Sequence, residues 1–176
     1  MTRKAVFLDR DGIINIDKGY VYKIEDFEFC EGIFDTLKYL QDLGYLLFVI
    51  TNQSGINRKY YCEFDFLKLT AYMLNEFKSK NINILDVEFC PHTPDENCEC
   101  RKPKTKMIEN ILKKYPKIDL NNSLLIGDKD SDINCAKNAK IKNTILLKNK
   151  DFVKDSHSFP SFCISNLEEI KSIILL

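Results

Sequence analysis

The sequence predicts an α/β protein with a doubly wound, Rossmann-like parallel sheet of about five strands and helices on both faces. Short apolar runs rich in Val, Ile, Leu and Phe alternate with amphipathic stretches along its 176 residues. The apolar runs show no strict alternation with polar residues, which is typical of strands buried on both faces. A regular succession of strand and helix is typical of a parallel sheet that helices cover on both sides.

Each predicted element follows from its own pattern. The predicted strands are residues 5–8, 45–50, 84–90, 123–126 and 144–147. Apolar residues at helical spacing predict three helices, over residues 33–43, 66–77 and 107–115. Gly44 is a natural residue to end the first of them. A fourth helix is expected to begin near Ser131, and Asn166 with Glu169 can cap a last helix that runs through Ile174.

Composition sets the size and the charge of the molecule. A chain of 176 residues is about one domain's worth, so we expect a single domain over residues 1–176 without a large cap domain. The 26 basic and 26 acidic residues cancel, which argues against binding to nucleic acid or to an anionic membrane. Any anion therefore binds to a local cluster. Three of the four arginines, Arg10, Arg58 and Arg101, fall within the candidate site segments described below.

Nothing in the sequence indicates export or insertion into a membrane. No apolar run approaches the roughly 18 residues that span a bilayer, and no apolar segment follows a basic stretch at the N-terminus. The seven cysteines are an odd number, so a disulfide framework is not indicated. We therefore expect a cytoplasmic protein, and a monomer that acts on a small molecule.

Polar residues follow three of the predicted strands at the point where each one ends. In open α/β sheets, ligands bind beyond these carboxyl ends. Asp9 and Asp11 follow the first strand at a spacing that places both side chains on the same side of an extended chain. Two crowded carboxylates need a cation, and Asp128 after the fourth strand completes an oxygen-only set that suits Mg²⁺. The predicted magnesium site is therefore Asp9, Asp11 and Asp128.

The same strand ends carry the groups that phosphoryl transfer requires. An Asp carboxylate can attack phosphorus and form an aspartyl phosphate, and Asp9 lies nearest to its strand. Asp11 is the candidate general acid and base, which gives a proton to the leaving alkoxide and takes one from the attacking water. The Thr51 hydroxyl, backbone N–H groups around Asn52 and a lysine can stabilise the phosphoryl oxygens.

A cluster of cysteine and histidine occupies residues 90–100. Its four potential ligands are Cys90, His92, Cys98 and Cys100. Three thiols and one imidazole form the closed tetrahedral set of a structural zinc ion, which leaves no position for water. We expect zinc to fix the loop that presents Arg101 and Lys102 to phosphate. The other four cysteines are expected to pack in the core: Cys30, Cys62, Cys135 and Cys163. His157 is expected at the surface.

The order of these motifs resembles the haloacid dehalogenase superfamily of phosphohydrolases. D-x-D-G, T-N-Q-S-G, R-K-P and G-D-K-x-x-D follow one another in that order, and the resemblance covers residues 5–147. The resemblance implies a nucleophile at Asp9, an acid/base at Asp11, and phosphate contacts from Thr51 and Lys102. It also implies Mg²⁺ held by Asp9, the Asp11 backbone and Asp128.

The zinc loop is similar to the loops of two groups within this superfamily. C-x-H…C-x-C-R-K-P resembles both the D-glycero-D-manno-heptose 1,7-bisphosphate 7-phosphatases and the histidinol-phosphate phosphatases. Residues 9–29 and 51–58 resemble the heptose enzymes, whereas the five-residue gap between His92 and Cys98 resembles the histidinol-phosphate group. Two long segments outweigh one loop length, because loops tolerate deletion.

The resemblance to the heptose enzymes implies a reaction and a substrate site. It implies Mg²⁺-dependent removal of the 7-phosphate through an aspartyl phosphate, which gives heptose 1-phosphate for bacterial surface sugars such as lipopolysaccharide. The residues that it implies at the substrate are Asp17, Lys18, Gly19, Tyr20, Asn52, Gln53, Ser54, Arg58, Arg101 and Lys129. Two alternatives stay open: a histidinol-phosphate phosphatase of histidine biosynthesis, and a catalytically silent, zinc-stabilised binding module on the same fold.

Overall fold

The computed structural model describes residues 2–148 and 159–174. Its strands are β1 (Ala5–Leu8), β2 (Leu46–Asn52), β3 (Ile84–Cys90), β4 (Leu124–Gly127), β5 (Asn143–Leu147) and β6 (Phe162–Ile164). Its α-helices are α1 (Ile33–Asp42), α2 (Glu63–Ser79), α3 (Lys106–Lys114), α4 (Asp130–Asn138) and α5 (Ile170–Ile174). Within these residues the strands form one parallel sheet in the order β3-β2-β1-β4-β5-β6.

Helices cover both faces of this sheet. Alternate side chains of a strand point to opposite faces, so each central strand contributes apolar residues to both. Val6 and Leu8 of β1 belong to the buried cluster that also contains apolar residues of α1, α2 and α5. Ala5 and Phe7 of the same strand belong to the second buried cluster, which contains residues of α3 and α4. The core therefore consists of two apolar layers, one on each side of the sheet.

The chain changes its direction across the sheet between β1 and β4. Strands β2 and β3 lie on one side of β1, whereas β4, β5 and β6 lie on the other. Such a switch point opens a crevice beyond the carboxyl ends of the adjacent strands. The segments that follow β1, β2 and β4 meet at this crevice, which is the position that the strand-end residues predict.

The predicted architecture is confirmed, with one strand more than expected in the described part of the chain. All five predicted strands are present. The Asn166 side chain caps the start of the last helical segment, a 3₁₀-helix over Leu167–Glu169 that leads into α5, by accepting a hydrogen bond from the Glu169 N–H at 3.3 Å. The sequence does not predict β6, because it has three residues and two of them are exposed at the edge of the sheet. Helix α4 begins at Asp130, one residue before the expected start.

The expected packing role is wrong for two of the four remaining cysteines. Cys135 is buried and Cys30 is partly buried, but Cys62 and Cys163 are exposed. Cys62 is the N-cap residue of α2, and Cys163 lies on the edge strand β6, so neither position faces the core. His157 lies outside the described residues.

The connections between strands and helices contain no further domain in the described part of the chain. The longest described one, residues 9–32 between β1 and α1, contains a single short 3₁₀-helix. The described part of the chain therefore contains no large cap domain above the crevice. None of the described helices has the length and the apolar character that crossing a bilayer requires.

Candidate active site

A cavity of about 290 Å³ lies at the carboxyl ends of β1, β2 and β4. Its lining brings together eleven of the predicted site residues: Asp9, Asp11, Asp17, Gly19, Tyr20, Asn52, Gln53, Ser54, Arg101, Lys102 and Lys129. Tyr61 and Ser131 line it as well. Lys18 and Arg58 are exposed and lie outside this lining, and Lys18 pairs with Glu28 at 3.1 Å. Their contact with a substrate stays a prediction.

The base of the cavity is an ionic cluster around Lys102. The Lys102 Nζ atom lies 2.8 Å from Asp9 Oδ1, 2.6 Å from Asp132 Oδ1 and 2.9 Å from the Ile50 carbonyl oxygen. These three acceptors match the three N–H donors of an ammonium group. Burial by itself lowers the pKa of Lys102, but the charges of Asp132 and Asp9 outweigh it and raise this pKa. Lys102 is therefore a fixed positive charge beside the candidate nucleophile.

The backbone of Lys102 is tied to the end of β2. The Asn52 Oδ1 atom accepts a hydrogen bond from the Lys102 N–H at 3.0 Å, and Asn52 Nδ2 donates to the Lys102 carbonyl at 3.3 Å. This reciprocal pair of hydrogen bonds holds Lys102, which follows the loop of residues 90–100, against the end of β2, the strand that carries Thr51. The Asn52 side chain therefore holds Lys102 in place, in addition to lining the cavity.

Asp132, the last residue of the G-D-K-x-x-D motif, is a site residue that the sequence pattern alone does not identify. It lies in the first turn of α4, is fully buried, and accepts a hydrogen bond from the Lys129 N–H at 3.1 Å. A Cβ atom at Gly127 would collide with the Asp132 side chain, so the strand end and the helix approach this closely only with glycine there. The signal in the sequence is an acidic residue three positions after the N-cap Lys129.

Three buried carboxylates in this cluster fit a divalent cation. One oxygen atom from each of Asp9, Asp128 and Asp132 lies within 4.8 Å of the other two. The Lys102 ammonium and the Lys129 ammonium, 4.0 Å from Asp128, provide two positive charges for three carboxylates, so negative charge is in excess. An oxygen-only donor set with excess negative charge fits a hard ion such as Mg²⁺. The Asp11 side chain contacts other groups, so its predicted share in the metal site stays a prediction.

Burial raises the pKa of two of these carboxyls. Desolvation raises the pKa of Asp9 to about 6 although the Lys102 charge lowers it, and the Asp132 charge adds to the increase. Desolvation and the nearby Asp9 charge raise the pKa of Asp128 to about 7. Protons therefore compete with a cation for these two carboxylates near neutral pH.

Hydrogen bonds hold the Asp11 carboxylate on both of its oxygens. Oδ1 lies 2.9 Å from Arg10 Nη2 and 3.0 Å from Asn15 Nδ2, and Oδ2 accepts from Gln53 Nε2 at 2.9 Å. Arg10 is only 1% exposed and also donates to the Val21 carbonyl at 2.7 Å. Arg10 falls within a site segment as predicted, but its buried guanidinium holds the Asp11 carboxylate and is not part of the cavity lining.

The rim of the cavity carries two cations. Lys129 Nζ lies 3.0 Å from Asp17 Oδ2 and 4.0 Å from Asp128 Oδ2, so it joins the loop after β1 to the start of α4. Arg101 Nη1 donates to the His92 carbonyl at 3.2 Å. The orientation of Arg101 therefore depends on the loop that contains the predicted zinc ligands.

The four predicted zinc ligands converge on one point. The Cys100 sulfur lies 2.6 Å from the Cys90 sulfur and 3.2 Å from His92 Nδ1, and the Cys98 and Cys90 sulfurs are 3.5 Å apart. All four donor atoms lie within 4.8 Å of one another. Soft thiolates with one imidazole fit tetrahedral Zn²⁺ and do not fit Mg²⁺. The described residues therefore contain two chemically different groups that could hold a metal ion: the Cys/His group and the buried carboxylates.

The sequence matches curated relatives over most of its length. A D-glycero-beta-D-manno-heptose-1,7-bisphosphate 7-phosphatase of Helicobacter pylori is 55% identical over 147 residues, which are 83% of this chain and 84% of the relative. A D-glycero-alpha-D-manno-heptose-1,7-bisphosphate 7-phosphatase of Campylobacter jejuni is 51% identical over 170 residues, which are 97% of this chain and 95% of the relative.

The fold is also found among solved structures. A D,D-heptose 1,7-bisphosphate phosphatase from B. bronchiseptica, complexed with magnesium and phosphate, has a TM-score of 0.87, with 98% of each chain covered and 23% identity. At this identity the likeness shows a shared fold alone. The model of the family described as haloacid dehalogenase-like hydrolase matches residues 14–146. With this match and the two relatives above, the chain is a member of the haloacid dehalogenase-like hydrolases.

Proposed function

We propose that this protein is a Mg²⁺-dependent phosphatase that removes the 7-phosphate of a D-glycero-D-manno-heptose 1,7-bisphosphate and leaves the 1-phosphate. The observation that carries phosphoryl transfer is the buried Asp9 carboxylate held 2.8 Å from the Lys102 ammonium at the base of an open cavity. The substrate follows from the two curated relatives, which are 51% and 55% identical to this chain over most of its length.

The reaction divides into two displacements at phosphorus. The Asp9 carboxylate attacks the 7-phosphoryl group, the bond between phosphorus and the sugar oxygen breaks, and the leaving oxygen takes a proton from the Asp11 carboxyl. Water then attacks the aspartyl phosphate, Asp11 takes the proton of that water, and inorganic phosphate leaves with Asp9 restored. Lys102 and the Thr51 hydroxyl stabilise the charge on the phosphoryl oxygens. A Mg²⁺ ion held by Asp9 and Asp128 supplies further positive charge there when it is bound.

Cations on the rim account for a substrate with a second phosphate. Lys129 and Arg101 both line the cavity, where Lys129 pairs with Asp17 and Arg101 donates to the His92 carbonyl. We propose that they bind the 1-phosphate, and that Asp17, Gly19 and Tyr20 contact the sugar.

The zinc set has a structural role in this proposal. We propose that Zn²⁺ binds Cys90, His92, Cys98 and Cys100 and fixes the loop that bears Arg101. The three reduced cysteines of this set suit a reducing compartment such as the cytoplasm. We also propose that residues 1–176 act as a single catalytic domain.

A substrate panel tests the proposed function. With Mg²⁺ present, we expect phosphate release from the α or the β anomer of heptose 1,7-bisphosphate, with heptose 1-phosphate as the product. The Asp9→Asn variant should lose roughly a thousandfold or more in kcat, because the attacking carboxylate is absent. Phosphate release from histidinol phosphate but from neither anomer would overturn the proposed substrate. Full turnover by Asp9→Asn would overturn the nucleophile.

Stabilisation by Mg²⁺ should depend on pH. The pKa of Asp9 is raised to about 6 and that of Asp128 to about 7. In the chelator-treated protein, these two protonated carboxyls therefore contribute stability at low pH. This contribution to the free energy of unfolding is lost as the pH rises through 6 and 7. Mg²⁺ should therefore bind roughly tenfold or more tightly at about pH 8 than at about pH 5.5. Thermal unfolding with and without Mg²⁺ at both pH values measures this difference.

The Asp128→Asn variant is the matched control for the Mg²⁺ measurement. It removes one of the two titrating carboxylates, so its Mg²⁺-induced shift in unfolding temperature should be small at both pH values. An equal shift at about pH 5.5 and about pH 8 in the parent protein would contradict the role of these carboxylates.

Removal of zinc should raise KM more than it lowers kcat. The Lys102 ammonium is held by Asp9, Asp132 and a β2 carbonyl outside the zinc loop, whereas Arg101 is held by the carbonyl of His92. We compare Cys98→Ser with Cys62→Ser, which makes the same change at an exposed cysteine outside the zinc set. Cys98→Ser should have a lower unfolding temperature and a raised KM. Identical values for the two variants would show that the cluster does not hold a structural metal.

A further inference from the structure

Tyr61 lines the cavity but takes no part in the proposed transfer of the phosphoryl group. Its side chain is 6% exposed, and its ring stacks on Tyr22 with centroids 5.0 Å apart. A Cβ atom at Gly55 would collide with the Tyr61 ring, so the ring fits only because that residue of T-N-Q-S-G is glycine. The position of the Tyr61 hydroxyl is therefore fixed by the packing of its ring against Tyr22 and Gly55.

This hydroxyl determines the orientation of the Gln53 amide. Tyr61 Oη lies 2.6 Å from Gln53 Oε1, and burial raises the pKa of Tyr61 to about 12, so the phenol keeps its proton and acts as the donor. Because Oε1 accepts from Tyr61, the Gln53 amino group lies on the other branch of the amide. Its two N–H groups have two acceptors, Asp11 Oδ2 at 2.9 Å and Thr51 Oγ1 at 2.8 Å.

The same chain of hydrogen bonds determines what the Thr51 hydroxyl can donate to. Thr51 Oγ1 already accepts a hydrogen bond from Gln53, so its own proton is available for another acceptor. A phosphoryl oxygen bound beside Asp9 is an acceptor of this kind. With the Gln53 amide reversed, its oxygen would face the Asp11 carboxylate with no donor between them, and the Thr51 hydroxyl would have to donate its proton to that amide oxygen.

We propose that Tyr61 and Gln53 are positioning residues: the Tyr61 hydroxyl fixes the Gln53 amide, which orients the Asp11 carboxylate and the Thr51 hydroxyl for phosphoryl transfer. This inference rests on the proposed phosphatase function. It adds Tyr61 to the residues that determine the rate and gives Gln53 a role other than direct contact with the sugar. Tyr61 acts through Gln53 in this arrangement, so the two side chains form one functional unit.

The Tyr61→Phe variant tests this proposal, because it removes one oxygen atom and keeps the ring in place. We expect kcat to fall about tenfold, the size expected when one hydrogen bond is lost, with KM within about twofold of the parent value. Tyr22→Phe makes the same chemical change on the ring that stacks against Tyr61 and should keep the parent kcat. A raised KM with an unchanged kcat would show a direct substrate contact and overturn the proposal.

A double-mutant cycle separates positioning from a loss of packing. Gln53→Met keeps the approximate volume but removes the acceptor and both donors, so it should lower kcat at least as much as Tyr61→Phe. In the Gln53→Met background, Tyr61→Phe should have no further effect, because Tyr61 acts only through Gln53. Effects on kcat that multiply independently would overturn the proposal.

The cycle is measured with heptose bisphosphate and with 4-nitrophenyl phosphate, so that two failures can be told apart. A parent enzyme that hydrolyses only 4-nitrophenyl phosphate would overturn the proposed substrate, while the ratio of variant to parent rates would still test the positioning role. Equal kcat values for parent and Tyr61→Phe on every hydrolysed substrate would overturn the positioning role alone.

Discussion

The buried ammonium of Lys102 is the interaction on which the rest of the site depends. It joins four parts of the chain: Asp9 after β1, the Ile50 carbonyl in β2, Asp132 in α4, and the zinc loop, which ends at Lys102 itself. Removing water from such charges is costly, and removing one partner of a buried ion pair typically costs about 3–5 kcal/mol. The ion pairs of this cluster are therefore stable only when all four segments are folded against one another. Their packing fixes the distance between the Asp9 carboxylate and the Lys102 ammonium.

Close packing around this cluster brings the side chains of the site together at the end of the sheet. Gly127 lets α4 begin against the end of β4, which brings Asp132 to Lys102, and Gly55 leaves room for the Tyr61 ring under the T-N-Q-S-G loop. The predicted zinc ligands lie just before Arg101, so one loop joins this Cys/His group to the rim of the cavity. The ion cluster around Lys102 thus holds the base, whereas at the rim the loop of the predicted zinc ligands holds Arg101 and Asp17 holds Lys129.

Most of the fold and part of the site follow from local sequence patterns. Asp9, Asp11 and Asp128 are recognisable because each follows a buried apolar run, and the zinc set is recognisable from its short spacing. Asp132 and Tyr61 depend on close approaches between segments distant in sequence, which no local period records. The role of Arg10 also depends on its burial. The sequence places this cation near the site, whereas in the structure its buried guanidinium is paired with the Asp11 carboxylate. Strand β6 is missed because it is too short to show a pattern.

The coupling between Lys102 and Asp132 tests this account most directly. The free energy of unfolding is measured by urea denaturation for the parent, Lys102→Met, Asp132→Asn and the double variant. If the buried ion pair organises the site, the sum of the losses in unfolding free energy of the two single variants should exceed the loss of the double variant. The difference, the coupling free energy, should be about 1–3 kcal/mol. Additive effects within about 0.3 kcal/mol would show that the two side chains do not depend on each other, and would contradict the central role of Lys102.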